Sequence, residues 1–201
     1  IYDYFWSKLM FMENSLVTLL KSKKTVFSVK ELAVLWKIYN SNTLKSKIYH
    51  LVRHGKLKRL HQGIYSIDND YDSMEFAGKL LHPSYISLET VLRAEGCIFQ
   101  YSEEVTSVGN INRTYVCDKK IYSYRKIKDV TLYNKNGLNS TNFYTIATKE
   151  RAFLDMIYLH KDYYFDNLSS LDWNKCFDLV KIYENKALEV RLIKYKNNDA
   201  G

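Results

Sequence analysis

The spacing of hydrophobic positions changes character along this chain, and the changes mark its elements. Leu16, Val17, Leu19 and Leu20 predict a first amphipathic helix that ends near the lysine run at 21–24. Ser28 stands three residues before Glu31, a capping box, and opens a second helix through Leu32, Ala33, Leu35 and Trp36. Ser41 or Asn42 caps a third. On it Leu44, Ile48, Leu51 and Val52 fall at i, i+4, i+7 and i+8, one apolar stripe for a core. The opposite face carries Asn42, Ser46, Tyr49, His50 and Arg53, with Lys45 and Lys47 on its flanks, and Gly55 sits where a glycine ends a helix. From Lys56 the period becomes two: a strand at 57–60, a turn at His61-Gln62-Gly63 and a return strand at 64–67. Three helices followed by a basic hairpin predict a winged helix-turn-helix over residues 12–70.

Beyond the acidic punctuation at 68–72, taken as the domain boundary, the pattern differs. A short helix is predicted at 87–96, with Glu89 in its first turn and Gly96 as its stop. Strands are predicted at 105–108, 114–117, 121–127, 130–133 and 143–146, with Asn136-Gly137 as a turn signal. Helices then begin at Thr148, through Ala152, Phe153, Asp155, Met156 and Tyr158, and at 173–183 and 187–195. Residues 71–201 therefore read as a mixed helix–sheet–helix domain, and the whole chain as α+β.

Charge sharpens this division. Of the first 67 residues twelve are Lys or Arg and three are acidic, a net +9. The other 134 carry 18 basic and 19 acidic side chains, a net −1, so the chain's +8 belongs to the first third. Positive charge on a helix-plus-hairpin unit suits a DNA duplex, where neutralised phosphates release counterions. The competing readings are a solvated surface in a Lys-rich protein and a winged helix that binds protein or RNA. On the duplex reading Arg53, Lys45, Lys47, Lys58 and Arg59 meet phosphate or guanine, Asn42 meets adenine, and Thr43, Ser46, Tyr49, His50, His61 and Gln62 complete the surface. Tyr49 alternatively covers a helix edge. His50 and His54 have the spacing of a metal pair but no nearby third ligand, so they read as surface histidines.

Other chemistry is sparse. Cys97, Cys117 and Cys176 are odd in number and far apart, which indicates reduced thiols in a cytoplasmic setting. Phosphate-cradling glycine motifs, zinc-protease motifs and nucleophile elbows are absent from the sequence, as is a Gly-Ser followed by spaced aspartates for two cations. Glu150 and Asp155 lie at i, i+5 on different sides of one helix and read as structural. No cofactor, metal or catalytic residue is expected, and the chain reads as a binding protein. Residues 1–11 are apolar and aromatic, lack a basic leader region and are too short to span a bilayer. They read either as an extension ahead of a start at Met12 or as a first helix on the core.

Three stretches carry a family resemblance. LVRHGKLKRLHQGIYSI (51–67), YISLETVLRAEGCI (85–98) and IATKERAFLD (146–155) resemble, in order and spacing, motifs of the AbiEi-type antitoxins, regulators of toxin–antitoxin operons. Lys149 stands where that family usually has Pro, and the helical tail after Asp155 is short for it. The resemblance covers about residues 15–160. It implies a winged helix that represses its own operon at an inverted-repeat operator, and a C-terminal domain associated with antitoxicity. It also implies a nucleotidyltransferase-like toxin as functional partner, countered without a stable complex. A stand-alone regulator whose second domain senses a ligand or dimerises remains the alternative.

Overall fold

The computed structural model describes residues 15–199; the readings made for residues 1–11 and Met12 lie outside them. The chain divides into two compact units, the first ending at Leu80 and the second starting at Leu81. The division falls about ten residues beyond the acidic punctuation, for a reason found in the first unit's hydrogen bonds.

That unit contains α1 (described over 15–21), β1 (Val26–Ser28), α2 (Val29–Trp36), α3 (Ser41–Arg53), β2 (Lys58–His61), β3 (Ile64–Ser66) and α4 (Ser73–Leu80). The strands form an antiparallel sheet in the order β1-β3-β2. Helix α2 starts at the capping box foreseen: the Ser28 hydroxyl accepts from the Glu31 amide, and Glu31 accepts from the Ser28 amide. Helix α3 is capped one residue before Ser41, the nearer of the two expected candidates. Asn40 is the cap, its Oδ1 accepting from the amides of Asn42 and Thr43 at 3.0 Å each, because a side chain just before the first turn reaches both orphan donors. Gly55, at φ +65°, follows the end of α3 in a left-handed conformation, as expected. The helical stripes of Leu19, Leu32, Leu44, Ile48 and Leu51 meet Phe27 and Leu57 in one core.

Strand β1 and helix α4 were not anticipated. Three residues are too few for a strand to announce itself by alternation, and β1 exists because Val26, Phe27 and Ser28 pair with Ser66, Tyr65 and Ile64. Helix α4 belongs to this unit because Glu75, buried on it, accepts from both the amide and the hydroxyl of Thr25 at 2.8 Å. Lys79 adds an ion pair to Glu31 at 2.8 Å, and Lys24 reaches the same carboxylate at 2.6 Å.

The second unit is built on a six-stranded mixed sheet in the order β6-β7-β5-β4-β9-β8. Its strands are β4 (Ser84–Ile86), β5 (Val105–Gly109), β6 (Arg113–Cys117), β7 (Lys120–Lys126), β8 (Leu138–Ser140) and β9 (Thr145–Ala147). Its helices are α5 (Glu89–Ala94), α6 (Asp129–Leu132), α7 (Lys149–Leu159), α8 (Trp173–Leu179) and α9 (Lys186–Asp199), with a 3-10 turn at Val180–Tyr183. The strands expected at 105–108, 114–117 and 121–127 lie within a residue or two of β5, β6 and β7. Two expectations are corrected. Residues 130–133 form the helical turn α6 instead of a strand, because Thr131 is held by the Ile182 and Arg151 side of the core: its hydroxyl donates to the Ile182 carbonyl and its carbonyl accepts from Arg151. The strand expected at 143–146 begins two residues late, because the Thr141 hydroxyl binds the amides of Phe143 and Tyr144 and makes them part of a turn.

Helix α7 starts at Thr148, whose hydroxyl accepts from the Arg151 amide, and is buried from Glu150 to Ile157. Three charged side chains lie in its buried run, and two of them, Arg151 and Asp155, are fully shielded from solvent. Arg151 donates to the Thr131 carbonyl (2.7 Å), the Asn136 carbonyl (2.9 Å) and the Tyr85 hydroxyl (3.1 Å), and its Nε lies 3.5 Å from Asp155 Oδ1. Asp155 accepts from Tyr183 (2.7 Å), Ser87 (2.7 Å) and Tyr85 (3.1 Å). Burial pushes the Asp155 carboxyl above its ordinary value against the pull of Arg151 and the three hydroxyls.

Two measurements follow from these ion pairs. Asp155→Ala leaves the Arg151 guanidinium buried without its counter-charge, and the loss of unfolding free energy should be about 3–5 kcal/mol. A loss below about 1 kcal/mol in denaturant titration would show that the pair does not hold the second unit together. Burial raises the pKa of Glu31, but Lys24, Lys79 and the Ser28 amide more than reverse this and bring it from 4.5 to about 2. A depressed carboxylate stabilises the fold above its unfolded pKa, so this contribution, on the order of 2 kcal/mol after screening, is lost as pH falls from about 4.5 towards 2. Glu31→Gln should flatten that part of the stability–pH profile, and an unchanged acid limb would show that the pairs contribute nothing.

Candidate nucleic-acid interface

The core stripe of α3 dictates where its polar residues go. At about 100° per residue, burial of Leu44, Ile48 and Leu51 turns Asn42, Lys45, Ser46, Tyr49 and Arg53 onto the opposite side. All five are exposed, and they form one continuous strip along about three turns. Tyr49, 60% exposed, stands edge-on to the half-buried His50 ring at 5.8 Å between centroids. A tyrosine hydroxyl, an amide, a seryl hydroxyl, an ammonium and a guanidinium thus project from one rigid helix.

Two of the expected residues are engaged elsewhere. Thr43 belongs to the helix cap, its amide and hydroxyl both donating to Asn40 Oδ1. Lys47 lies with its ammonium 4.5 Å from the centroid of the Trp36 ring, on the α2 side of α3. Burial there lowers its pKa to about 8. Trp36 is itself pinned, its indole N–H donating to the Ser15 carbonyl at 3.1 Å, so this contact ties three helices together. A lysine on a helix flank and a lysine packed over a ring have the same sequence signature.

The hairpin is short and firmly rooted. His61 ends β2 instead of opening the turn, and Gln62-Gly63 make the connection, with Gly63 at φ +74°. The register slips between Arg59 and His61, leaving a bulge at Leu60. The Gly63 carbonyl accepts from the Val29 amide, which anchors the turn to the start of α2. Arg59, His61 and Gln62 are exposed, whereas Lys58 is half-buried opposite Ser66. The arrangement brings exposed donors and cations onto a helix and a neighbouring ribbon joined by four residues.

Sequence reasoning missed exposed groups on the connection from α2 to α3. Lys37 takes a left-handed conformation at φ 55°, and Tyr39 is 80% exposed beside the cap residue Asn40. A cation and an aromatic ring between two helical patterns were the available signal. Lys30 and Lys56 are exposed as well.

In the second unit, Glu150 and Asp155 are both buried, and the contacts of Asp155 are structural hydrogen bonds. Among the described residues no group of three or more His, Cys, Asp or Glu side chains is placed to hold a metal ion, and no helix is long and apolar enough to cross a membrane. Cys97 and Cys176 are buried and Cys117 is partly exposed, and none of the three is in a disulfide. No protein-family model matches the chain, and no curated protein matches it.

Proposed function

We propose that the first unit is a winged helix-turn-helix that binds duplex DNA, with α3 in the major groove and the β2–β3 hairpin as wing. The observation that carries this reading is the coincidence of three properties on one surface. The strip of Asn42, Lys45, Ser46, Tyr49 and Arg53 is exposed, it adjoins a basic ribbon, and the net +9 of the chain's first 67 residues lies in the same segment. The helix order, with the hairpin following the third helix, supports it further. Within this reading Arg53 and Asn42 read bases, Ser46, Tyr49, Lys45 and the exposed Lys37 and Lys56 meet phosphates, and Arg59, His61 and Gln62 meet the flanking backbone or minor groove. Lys47 supports α3 through Trp36 and contributes field more than direct contact.

The biological role proposed is a cytoplasmic transcriptional repressor of its own operon that acts as an antitoxin, without enzymatic activity or cofactor. Its operator is an inverted repeat, and its functional partner is a nucleotidyltransferase-like toxin countered without a stable complex. This part rests on the resemblance of the three motifs. What supports it physically is that Tyr85, Ser87, Arg151 and Asp155, which fall in the second and third motifs, converge on one hydrogen-bonded cluster. Motif residues that meet in space act as a unit.

About four to seven phosphate contacts on this surface set the slope of log K against log salt at roughly −4 to −6. Titration of the chain with the DNA upstream of its gene, at several salt concentrations, measures it. A slope near zero, or no binding at low salt, removes the proposal. Base reading and positioning are separable in the same assay. Arg53→Ala should cost about 1–3 kcal/mol of discrimination between operator and random duplex. Arg59→Ala should weaken both about equally. The assignment of helix and wing is reversed if the Arg59 change alone alters specificity.

A further inference from the structure

The segment between α7 and α8 folds back on α9 and creates a cleft that the proposed DNA binding does not use. Its wall is fixed from both sides. The Tyr195 hydroxyl donates to the Tyr163 carbonyl at 2.6 Å and accepts from the Tyr163 amide at 3.0 Å. Phe165, buried beneath, has its ring centroid 4.9 Å from Tyr163, 5.5 Å from Tyr195 and 5.1 Å from the core residue Phe153. Two cavities of about 310 and 340 Å³ open on this wall and share Tyr163, Tyr164, Tyr195 and Asn198. They are two lobes of one cleft.

The lobes differ in chemistry. The first adds Lys161, Arg191 and Lys194 against a single acid, Asp162, and so attracts an anion. Arg191 is held in place there, donating through Nη1 to the Ile157 carbonyl and through Nε to the Ala187 carbonyl. The second lobe adds Phe165 and Leu168 with the polar Asp166 and Asn167, a mixed lining of apolar and hydrogen-bonding groups. Arg191, Lys194, Tyr195 and Asn198 stand at i, i+3, i+4 and i+7, so one face of α9 supplies cations, ring and amide together. Tyr164, 81% exposed at the junction, has its ring free to stack on a ligand. A ligand that fills both lobes has a multiply charged group at one end and a planar polar ring at the other.

We propose that this cleft binds a nucleoside phosphate. The phosphates lie among Lys161, Arg191 and Lys194, and the base lies in the second lobe against Tyr164 with its edge towards Asn198 and Asn167. Three cations suit a polyphosphate better than a single carboxylate, and each lobe has the scale of a small-ligand pocket. The inference stands apart from the DNA-binding reading, because it concerns other residues in the other unit.

The test is isothermal titration calorimetry on the full chain without DNA, at physiological salt, with ATP, GTP, CTP and UTP as probes and inorganic phosphate as a separate arm. At least one nucleotide should bind saturably. Lys194→Glu should weaken it tenfold or more, and Tyr164→Ala by about tenfold, the scale of one lost base–aromatic stack. Both residues are exposed, and melting curves matching the parent establish that the variants fold; Lys194→Ala serves if the charge reversal does not. Arg53→Ala should leave nucleotide binding unchanged. The proposal is overturned if no probe saturates at millimolar concentration, or if Tyr164→Ala binds like the parent. Inorganic phosphate binding as tightly as the nucleotide would reduce the cleft to an anion site and overturn it too. Loss through Arg53→Ala would place the nucleotide on the basic surface of the first unit.

Discussion

The second unit is organised around one interaction, the ion pair of Arg151 and Asp155 at zero solvent exposure. A pair of charges removed from water is expensive unless nearly every remaining donor and acceptor is also satisfied. Here the ligands come from four places: Tyr85 on β4 and Ser87 just after it, Thr131 on α6, Asn136 before β8, and Tyr183 at the end of the 3-10 turn. Each of those elements must be in place for the charges to be tolerated, so the pair couples β4, α6, α7 and the turn before α9. The tyrosine hydroxyls are held far from ionisation by burial and by the Asp155 charge, which keeps them donors. The Arg151–Asp155 pair is thus the point on which α7 is fastened to the sheet.

The first unit solves a different problem. Its core is small, and its surface must carry a high positive charge without unfolding. Two devices serve this. The apolar stripes of α1, α2 and α3 close on Phe27 and Leu57, and Glu31 pairs with both Lys24 and Lys79 while completing the cap of α2. Lys47 is accommodated over Trp36, where its stem packs on apolar surface. Of the cations that remain exposed, Lys45, Arg53, Lys56 and Arg59 lie on α3 and on the chain that follows it, while Lys30 and Lys37 lie on α2 and at its end. Separation of paired charge from unpaired charge leaves a coherent field on one helix and its hairpin.

Much of this was legible beforehand wherever a signal was local. The capping box at Ser28 and Glu31, the stripe of Leu44, Ile48 and Leu51, the stop at Gly55 and the cap at Thr148 all stand where expected, because each is decided within one or two turns of chain. The strip on α3 followed directly, since the buried side of an amphipathic helix determines its exposed side. The further contacts of Thr43 and Lys47 were not legible, because a cap acceptor three residues upstream of Thr43 and a ring on a neighbouring helix leave no trace in the spacing. The turn α6 was taken for a strand because Val130 and Thr131 are β-branched, a preference that the contacts of Thr131 with Ile182 and Arg151 override.

The sequence by itself determined the helical periods, the caps of α2 and α7, the basic first third and the α+β character, all of which depend on neighbours a few residues apart. Only the tertiary structure decided that three-residue strands such as β1 and β4 exist, since their hydrogen bonds come from partners tens of residues away. It also decided that α4 belongs with the first unit through Glu75 and Thr25, fifty residues apart. The pairing of Tyr85 with Asp155, seventy residues apart, and of Tyr163 with Tyr195 arises in the same way. A buried polar group has to find its partner wherever the fold brings one, and that partner is set by packing, which no local pattern encodes.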